Sequence, residues 1–340
     1  MPIAGEILVI VSRAPVRFSL GGGGSDLPSY YQRYGGFVVS AAIDHYVYVT
    51  ANRRFYDSIR LAYSETEITP DVASIRHPIF REALRMAGIE RGIELTSVAD
   101  LPSNSGLGSS SSFTVALLNA LYTYKRNFVS SARLAEDACK LEMERLGEPV
   151  GKQDQYIAAF GNVTALTIDT DGTVHVEPVP VRDEVLDELQ NNLLIMYTGI
   201  ERPAKVVLRE QGERVVSNDS ATVAGMHRIK ALGHDVYDLL VKGEVDRYGE
   251  LLHEHWQNKK KLASKMSDER LDEYYDAARR AGAIGGKLIG AGGGGFFMLY
   301  VRPAEKRAVF ETLTARGLRP LRFGFDLDGA KIVANLHRGR

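Results

Sequence analysis

Two hydrophobic rhythms run through the chain and change over near residue 113. Before it, strand-like patterns dominate. Ile7 to Val11 is an unbroken apolar run that reads as a buried strand, and Val16, Phe18 and Leu20 alternate with polar or small residues into a run of glycines. Residues 37–50 are rich in β-formers and end Tyr46-Val47-Tyr48-Val49; Ile59, Leu61 and Tyr63 alternate, as do Ile93 and Leu95. From Phe113 the spacing becomes helical: Ala116, Leu117, Ala120, Leu121 and Tyr124 share one face with it. A second helix is predicted from Ser131 to Leu146, closed by Gly147 and Pro149. Residues 163–168 and 174–179 flank Asp171-Gly172 and read as a hairpin.

Pro178, Pro180 and the charged stretch to Glu188 read as a domain boundary. Beyond it a strand is expected at 193–197, helices over much of 203–281, a strand at 296–301, a helix near 303–316, and strands near 319–325 and 329–335. The fold class is therefore α+β, in two domains, residues 1–188 and 189–340. The 340-residue length suits two domains.

Composition excludes more than it identifies. With 42 basic and 43 acidic residues the chain is near neutral, which argues against a nucleic-acid partner. No apolar run approaches the roughly 20 residues that cross a bilayer, so no membrane partner is expected, and Glu6 without a basic stretch gives no sign of a secretory leader. The single cysteine, Cys139, excludes an internal disulfide and suits a cytoplasmic location. The 33 glycines exceed the usual share of about 7 %. They gather at Gly21 to Gly24, at Gly106 and Gly108, and at Gly290 to Gly295 around Ala291.

The middle cluster, Pro102-Ser-Asn-Ser105-Gly106-Leu107-Gly108-Ser109-Ser110-Ser111-Ser112, lies before the strongest amphipathic helix. Glycines let backbone approach a ligand, serine hydroxyls donate to phosphate, and a helix N-terminus favours an anion. Together they suit a triphosphate cradle; a glycine turn followed by a serine cap is the plainer alternative. Gly286-Lys287 lacks the rest of a P-loop, and Gly290, Gly292 and Gly295 precede a strand, the wrong context for dinucleotide binding. Glu142 falls near the middle of the apolar face made by Leu134, Ala135, Ala138, Cys139, Leu141 and Leu146, whereas Glu144 points about 160° away. A carboxylate there needs a partner or a cation, and an ion pair with Arg145, three residues on, is the plainer alternative to a metal. His253-Glu-His255 has divergent spacing for a metal, Lys259-Lys-Lys261 reads as a solvated helix face, and Cys139 reads as a buried small hydrophobe.

Three segments in order resemble the GHMP small-molecule kinases: Arg13-Ala-Pro-Val-Arg17-Phe-Ser-Leu-Gly21-Gly-Gly23-Gly24-Ser-Asp26, Pro102 to Ser111, and Gly290 to Gly295 before a strand. Ser12-Arg-Ala-Pro, Tyr34-Gly-Gly36, Ala42-Ile-Asp-His-Tyr46, Gly151-Lys-Gln-Asp-Gln-Tyr156 and Tyr197-Thr198-Gly199 most resemble the bacterial heptose 7-phosphate kinases of that family. Galactokinases of the family carry Glu-His where this chain has Gly23-Gly24, a difference that leaves room for a bulkier sugar. The resemblance implies a ribosomal-protein-S5-domain-2-like N-terminal domain and a ferredoxin-like C-terminal domain. It also implies ATP and Mg²⁺ as cofactors, a small-molecule sugar phosphate as partner, and phosphorylation of an anomeric hydroxyl to a 1,7-bisphosphate for surface polysaccharide. A kinase for fucose or mannose, a non-catalytic sensor of nucleotide or sugar, and a homodimer all stay open.

Carried over residue by residue, the resemblance makes Asp154 the general base or electrostatic orienter of the acceptor, with Arg17 beside it to stabilise charge on the transferring group. Pro102, Ser105, Gly106, Leu107, Gly108, Ser109, Ser110 and Ser111 would hold ATP. Glu142, twelve residues before Asp154, and Ser110, with Ser109 as the substitute, would hold Mg²⁺. Asp26, Gly23, Gly24, Thr198, Gly199 and Gly293 would meet the sugar. Asp26 alone could be an Asx turn, Asp154 alone a helix cap, and the third glycine run either approaches substrate or packs closely. A substrate phosphate needs cations, and Arg202 and Lys205 after the 193–197 strand, or Lys152, are the candidates; Arg202 and Lys205 could equally be solvated loop charges.

Overall fold

The computed structural model describes residues 7–102, 106–200, 204–263 and 266–338. In chain order the first half contains β1 (Ile7–Gly21), α1 (Pro28–Tyr34), β2 (Gly36–Arg53), β3 (Ile59–Ala62), β4 (Thr66–Thr69), α2 (Pro78–Ala87), β5 (Ile93–Ala99), α3 (Ser109–Tyr124), α4 (Ser131–Cys139), α5 (Gln153–Phe160), β6 (Val163–Ile168) and β7 (Val174–Pro178). The second contains α6 (Asp183–Asn192), β8 (Leu193–Tyr197), α7 (Ala204–Val216), α8 (Ser220–Lys242), α9 (Tyr248–Lys259), α10 (Glu269–Arg280), β9 (Gly285–Leu288), β10 (Phe296–Tyr300), α11 (Pro303–Thr314), β11 (Arg319–Leu321) and β12 (Lys331–Arg338).

The larger sheet runs β12-β1-β2-β5-β3-β4, with β6 added to β2 and β7 to β6. β2 is long enough to serve two partners on one edge: Gly36–Ala41 pair with β6 and Val47–Arg53 with β5. Its other edge pairs with β1, and the register slips where Pro15 faces Tyr46 but Val16 faces Ile43. That bulge bends both strands. β12 covers the outer edge of β1 only from Ile7 to Arg13. Past Arg13 no strand among the described residues pairs with that edge, and the Arg17 amide instead donates to the Leu107 carbonyl at 2.9 Å. The middle glycine loop is thus held against β1 by a backbone hydrogen bond of the kind an extra strand would make.

The smaller sheet is antiparallel, in the order β11-β8-β10-β9. Alternation decides what each face meets. Val16, Phe18 and Leu20 of β1 share one core with Leu193 and Ile195 of β8 and Met298 of β10. The opposite faces of β8 and β10, through Leu194, Met196, Phe297 and Leu299, pack with Trp256. A third core lies between the large sheet and α2 to α5. Each fully buried Leu or Phe contributes about 1.5–3 kcal/mol, so the shared core sets how the two sheets sit together. Arg17 and Ser19, on the other face of β1, are left to line a cleft. Among the described residues no helix is long and apolar enough to cross a membrane.

Several expectations change. The charged stretch before Glu188, read as a boundary, forms the start of α6: Asp183 and Glu184 favour its N-terminus, and Val185 and Leu189 bury one face. The strand near 329–335 forms as Lys331–Arg338 but belongs to the large sheet, so the chain returns from the second half to the first. The strand near 319–325 is only Arg319–Leu321. The helix expected over 131–146 is α-helical to Cys139 and continues as a π-helix over Lys140–Arg145. Helix α1 and strands β4 and β9 have no clear periodic signal, whereas the helical spacing of Phe80, Ala83, Leu84 and Ala87 in α2 was there to be read. α1 and α2 each begin at a proline, the usual first helical residue.

The approach of β9 to α9 depends on Gly285, where an added Cβ would lie 1.8 Å from the Gly249 carbonyl oxygen. Gly285→Ala should lower stability by about 3 kcal/mol, the upper end for overpacking. Gly199→Ala, at φ +69° with open space around it, should cost only the left-handed penalty of about 1–2 kcal/mol. Urea denaturation of both variants checks the order.

Candidate active site

One cleft of about 430 Å³ lies between the halves and is lined by residues from all three glycine runs. At its centre Arg17 and Asp154 form a two-pronged pair: Nε donates to Oδ1 at 2.7 Å and Nη2 to Oδ2 at 2.6 Å. The guanidinium also donates from Nη1 to the Gly106 carbonyl at 2.9 Å. Arg17 is buried on β1, while the Asp154 side chain, in the first turn of α5, keeps 24 % of its surface facing the cleft. Gly108 packs on this pair; a Cβ there would lie 3.1 Å from Asp154 Oδ2.

Gly108 is also the residue that opens α3, at φ 78°, and no side chain caps that helix. The serine-cap alternative for the middle loop is therefore absent. Ser109, Ser110 and Ser111 stand in the first turn, on the cleft, as do Gly106 and Gly108. An uncapped N-terminus with hydroxyls around it favours phosphate oxygens. Leu107 is buried in the shared core and holds the loop without facing the cleft, and Pro102 is also off the cleft wall. Ser105 lies outside the described residues.

Glu142 sits within the π-helix and is 3 % exposed. Ser111 Oγ donates to its Oε2 at 2.8 Å, Thr114 Oγ1 to Oε1 at 2.5 Å, and Gln155 Nε2 to Oε2 at 2.7 Å. Arg145 turns away and pairs with Glu82 at 3.2 Å, so the Glu142–Arg145 alternative is overturned. The π-turn's wider rotation separates two residues that an α-helix would stack. Burial pushes the Glu142 carboxyl up from its ordinary value, against the three hydrogen bonds that lower it. Ser109 Oγ and Gln155 Oε1 nearby are buried without a hydrogen-bond partner. These hard oxygens, with Ser110 exposed on the same wall, could hold a small divalent cation. Among the described residues no three His, Cys, Asp or Glu side chains gather as a metal cluster.

Asp26 is buried at the cleft wall, where Gly24 N–H and Gln153 N–H donate to Oδ1 and Oδ2 at 2.9 and 3.1 Å. Its carboxyl is pushed up, by burial first, and Asp154 adds to the rise. Gly151 permits the arrangement, since a Cβ there would lie 1.9 Å from Asp26 Oδ2. Gly23 and Gly24 line the cleft too. The side left open by Gly24 is taken up by Gln211 and Met226, so the missing side chains do not simply enlarge the cleft.

Other expected residues are elsewhere. Lys152 is buried away from the cleft wall, bonded to Glu136 at 3.1 Å and to the Gly172 carbonyl at 2.7 Å. A lysine that satisfied has no reach for a substrate phosphate. Thr198 donates its hydroxyl and its amide to the Gly295 carbonyl, tying β8 to the third glycine run, and neither it nor Gly199 lines the cleft. Gly293 is likewise off the wall; its amide donates to Met266, whereas Gly290 and Ala291 reach the cleft. Gly290 also packs closely, for a Cβ there would meet the Gly106 carbonyl oxygen at 2.4 Å. Lys205 stands on the rim, paired with Glu148 at 2.6 Å. Arg202 lies outside the described residues.

Three cleft residues were misread or missed. Lys259 is not solvated but buried, its ammonium bonded to the Gly290 carbonyl. Lys287 and His255 are buried beside it and also line the cleft. Only the position of Lys259 on the inner face of α9 distinguishes it from Lys260, which pairs with Asp272.

Comparison with known proteins gives the family. The models of the GHMP kinases N terminal domain and GHMP kinases C terminal region match residues 75–162 and 236–317. This chain belongs to the GHMP kinases. It is 28 % identical to a D-glycero-alpha-D-manno-heptose 7-phosphate kinase of Campylobacter jejuni, over 95 % of this chain and 98 % of that protein. A galactokinase of Pyrococcus furiosus is also 28 % identical, over 82 % and 86 % of the two chains. The crystal structure of a D-glycero-D-manno-heptose 1-phosphate kinase from Bacteroides thetaiotaomicron superposes with a TM-score of 0.79 at 28 % identity, covering 95 % of this GHMP kinase and 97 % of that chain. The protein is a phosphotransferase of the sugar-kinase type, from a family whose members use ATP as donor.

Glu142 gives a stability test. Its carboxyl is raised from 4.5 in the fold, so above pH 4.5 the native state keeps a proton that the unfolded chain has lost. Stability therefore falls as pH rises through that window. In chelator-treated protein, Glu142→Gln should gain in urea midpoint relative to the parent between pH 4.5 and neutrality, with Gln155 free to turn its amide. A constant difference across that range would show that Glu142 does not titrate abnormally.

Proposed function

We propose that this kinase transfers the γ-phosphoryl group of ATP, as its Mg²⁺ complex, to the anomeric hydroxyl of D-glycero-D-manno-heptose 7-phosphate. The product would be the 1,7-bisphosphate, made in the cytoplasm and leading to a nucleotide-activated heptose for surface polysaccharide. The Arg17–Asp154 pair carries the reading: a buried guanidinium fixes a carboxylate that still faces the cleft, between the uncapped α3 N-terminus and Asp26. Near full-length similarity to a heptose 7-phosphate kinase supports the choice of sugar.

In this reading the α3 N-terminus and its serines hold the triphosphate. Arg17 uses two of the roughly four acceptor sites of Asp154, leaving the carboxylate free to accept a hydrogen bond from the acceptor hydroxyl and then its proton. Arg17 meets the charge that develops on the phosphoryl oxygens. Asp26 accepts from sugar hydroxyls and fixes which one is presented. Glu142 and Ser110 would hold Mg²⁺, which neutralises phosphate charge when bound.

Asp154→Asn should reduce kcat by roughly 10²–10⁴ with the fold and ATP affinity retained, measured as ADP release with the heptose phosphate. Retention of most of the kcat would remove Asp154 from the chemistry. A panel of heptose 7-phosphate, galactose, fucose and mannose settles the sugar, and faster ADP release with one of the others would replace heptose. Glu142→Gln should raise the Mg²⁺ concentration needed for half-maximal rate at least tenfold, about the loss of one charged ligand; an unchanged requirement would place the ion elsewhere.

A further inference from the structure

The cleft holds two buried ammonium groups that the transfer chemistry above leaves unused. Lys259, at the end of α9, donates to the Gly290 carbonyl. Lys287, on β9, lies 3.3 Å from His255 Nδ1 and 3.5 Å from the Leu20 carbonyl. Neither forms an ion pair among the described residues. His255 is 2 % exposed, and its Nε2 has no hydrogen-bond partner among the described residues. With Lys287 donating to Nδ1, the ring proton sits on Nε2. All three side chains line the cleft.

Burying an unpaired ammonium is costly, and two such groups repel each other. Burial pushes Lys259 down to about 8, helped by Arg17, and pushes Lys287 well below its ordinary value, with Lys259 and Arg17 adding to the fall. Structural packing gains nothing from such an arrangement; an anion arriving in the cleft would relieve it. Position selects which anion. Lys287 reaches Leu20, beside the first glycine run, whereas the transfer centre is at Arg17 on the same strand. Lys259 lies within electrostatic reach of Asp26, which in this reading meets the sugar, so the lysines belong to the acceptor side of the cleft.

We infer that Lys259, Lys287 and His255 form a subsite for the phosphate monoester already present on the acceptor sugar. The inference rests on the reading of the protein as a sugar phosphate kinase and replaces Lys152 as the residue that meets that phosphate; Lys205, already paired with Glu148, is left as a comparison. Two ammonium groups and an imidazole N–H supply donors to a dianion's three oxygens. A substrate lacking the phosphate would leave the two cations unpaired.

The test uses Lys259→Met and Lys287→Met, which remove charge at similar length, with Lys205→Ala for comparison. Binding is measured by calorimetry for heptose 7-phosphate, mannose 6-phosphate, unphosphorylated heptose and mannose, inorganic phosphate and a non-hydrolysable ATP analogue. The parent should bind each sugar phosphate more tightly than its sugar. Each methionine variant should lose about tenfold or more in affinity for the phosphorylated sugars, with little change for the plain sugars or the nucleotide. In turnover, KM for the sugar phosphate should rise while kcat changes little. Thermal stability without ligand should be equal or higher, because an unpaired buried charge has gone, and this shows that lost affinity is not lost fold.

Equal weakening of phosphorylated and plain sugars would overturn the subsite. So would weakened nucleotide binding, a fall in kcat with every acceptor, or a loss confined to Lys205→Ala. If mannose 6-phosphate is the better substrate and its binding depends on the lysines, the subsite stands and the heptose assignment falls. If heptose 7-phosphate is the substrate and the lysine variants bind it normally, the assignment stands and the subsite falls.

Discussion

Arg17 ties together the parts that make the cleft. Its amide holds the middle glycine loop through Leu107, one guanidinium nitrogen holds the same loop through Gly106, and the other two hold Asp154 at the start of α5. Three segments far apart in sequence therefore meet at one side chain. The bulge between β1 and β2 and the end of the β12 pairing at Arg13 leave room for the loop to dock there. A lysine would lose the planar fork that satisfies both carboxylate oxygens while a third bond goes to a carbonyl.

The glycine runs and Glu142 were readable from sequence because each signal is local. Alternation through Val16, Phe18 and Leu20 sends Arg17 and Ser19 to the opposite face. The apolar face around Glu142 correctly buries it even though the helix there is π rather than α. The resemblance to the GHMP kinases brought Asp154, Asp26 and Arg17 together, which spacing alone could not do.

What could not be read depends on long-range packing. Lys259 continues the face of Tyr248, Leu252, His255 and Trp256, a helical spacing that the run of three lysines masked, and the seating of α9 on β9 buries it while Lys260 pairs with Asp272. Thr198 and Gly293 lie close to the cleft in sequence terms but are used to brace the third glycine run from behind. Lys152 is drawn off by Glu136 and Gly172, partners 16 and 20 residues away that no periodicity connects to it. The role of α6 was hidden by its charge, although acidic residues at a helix start favour the helix.

The pairing of β1 with β12 joins Ile7 to Arg338 across almost everything that lies between them. On the ribosome β1 is made first and β12 last, so the growing large sheet carries an uncovered edge throughout the synthesis of the second half. An open edge is a template for pairing with other chains, and contacts this distant in sequence form late. Until β12 docks, nascent and refolding molecules would expose that edge together. The vulnerable period of this protein is therefore its assembly, when yield would depend on how well neighbouring chains are kept apart.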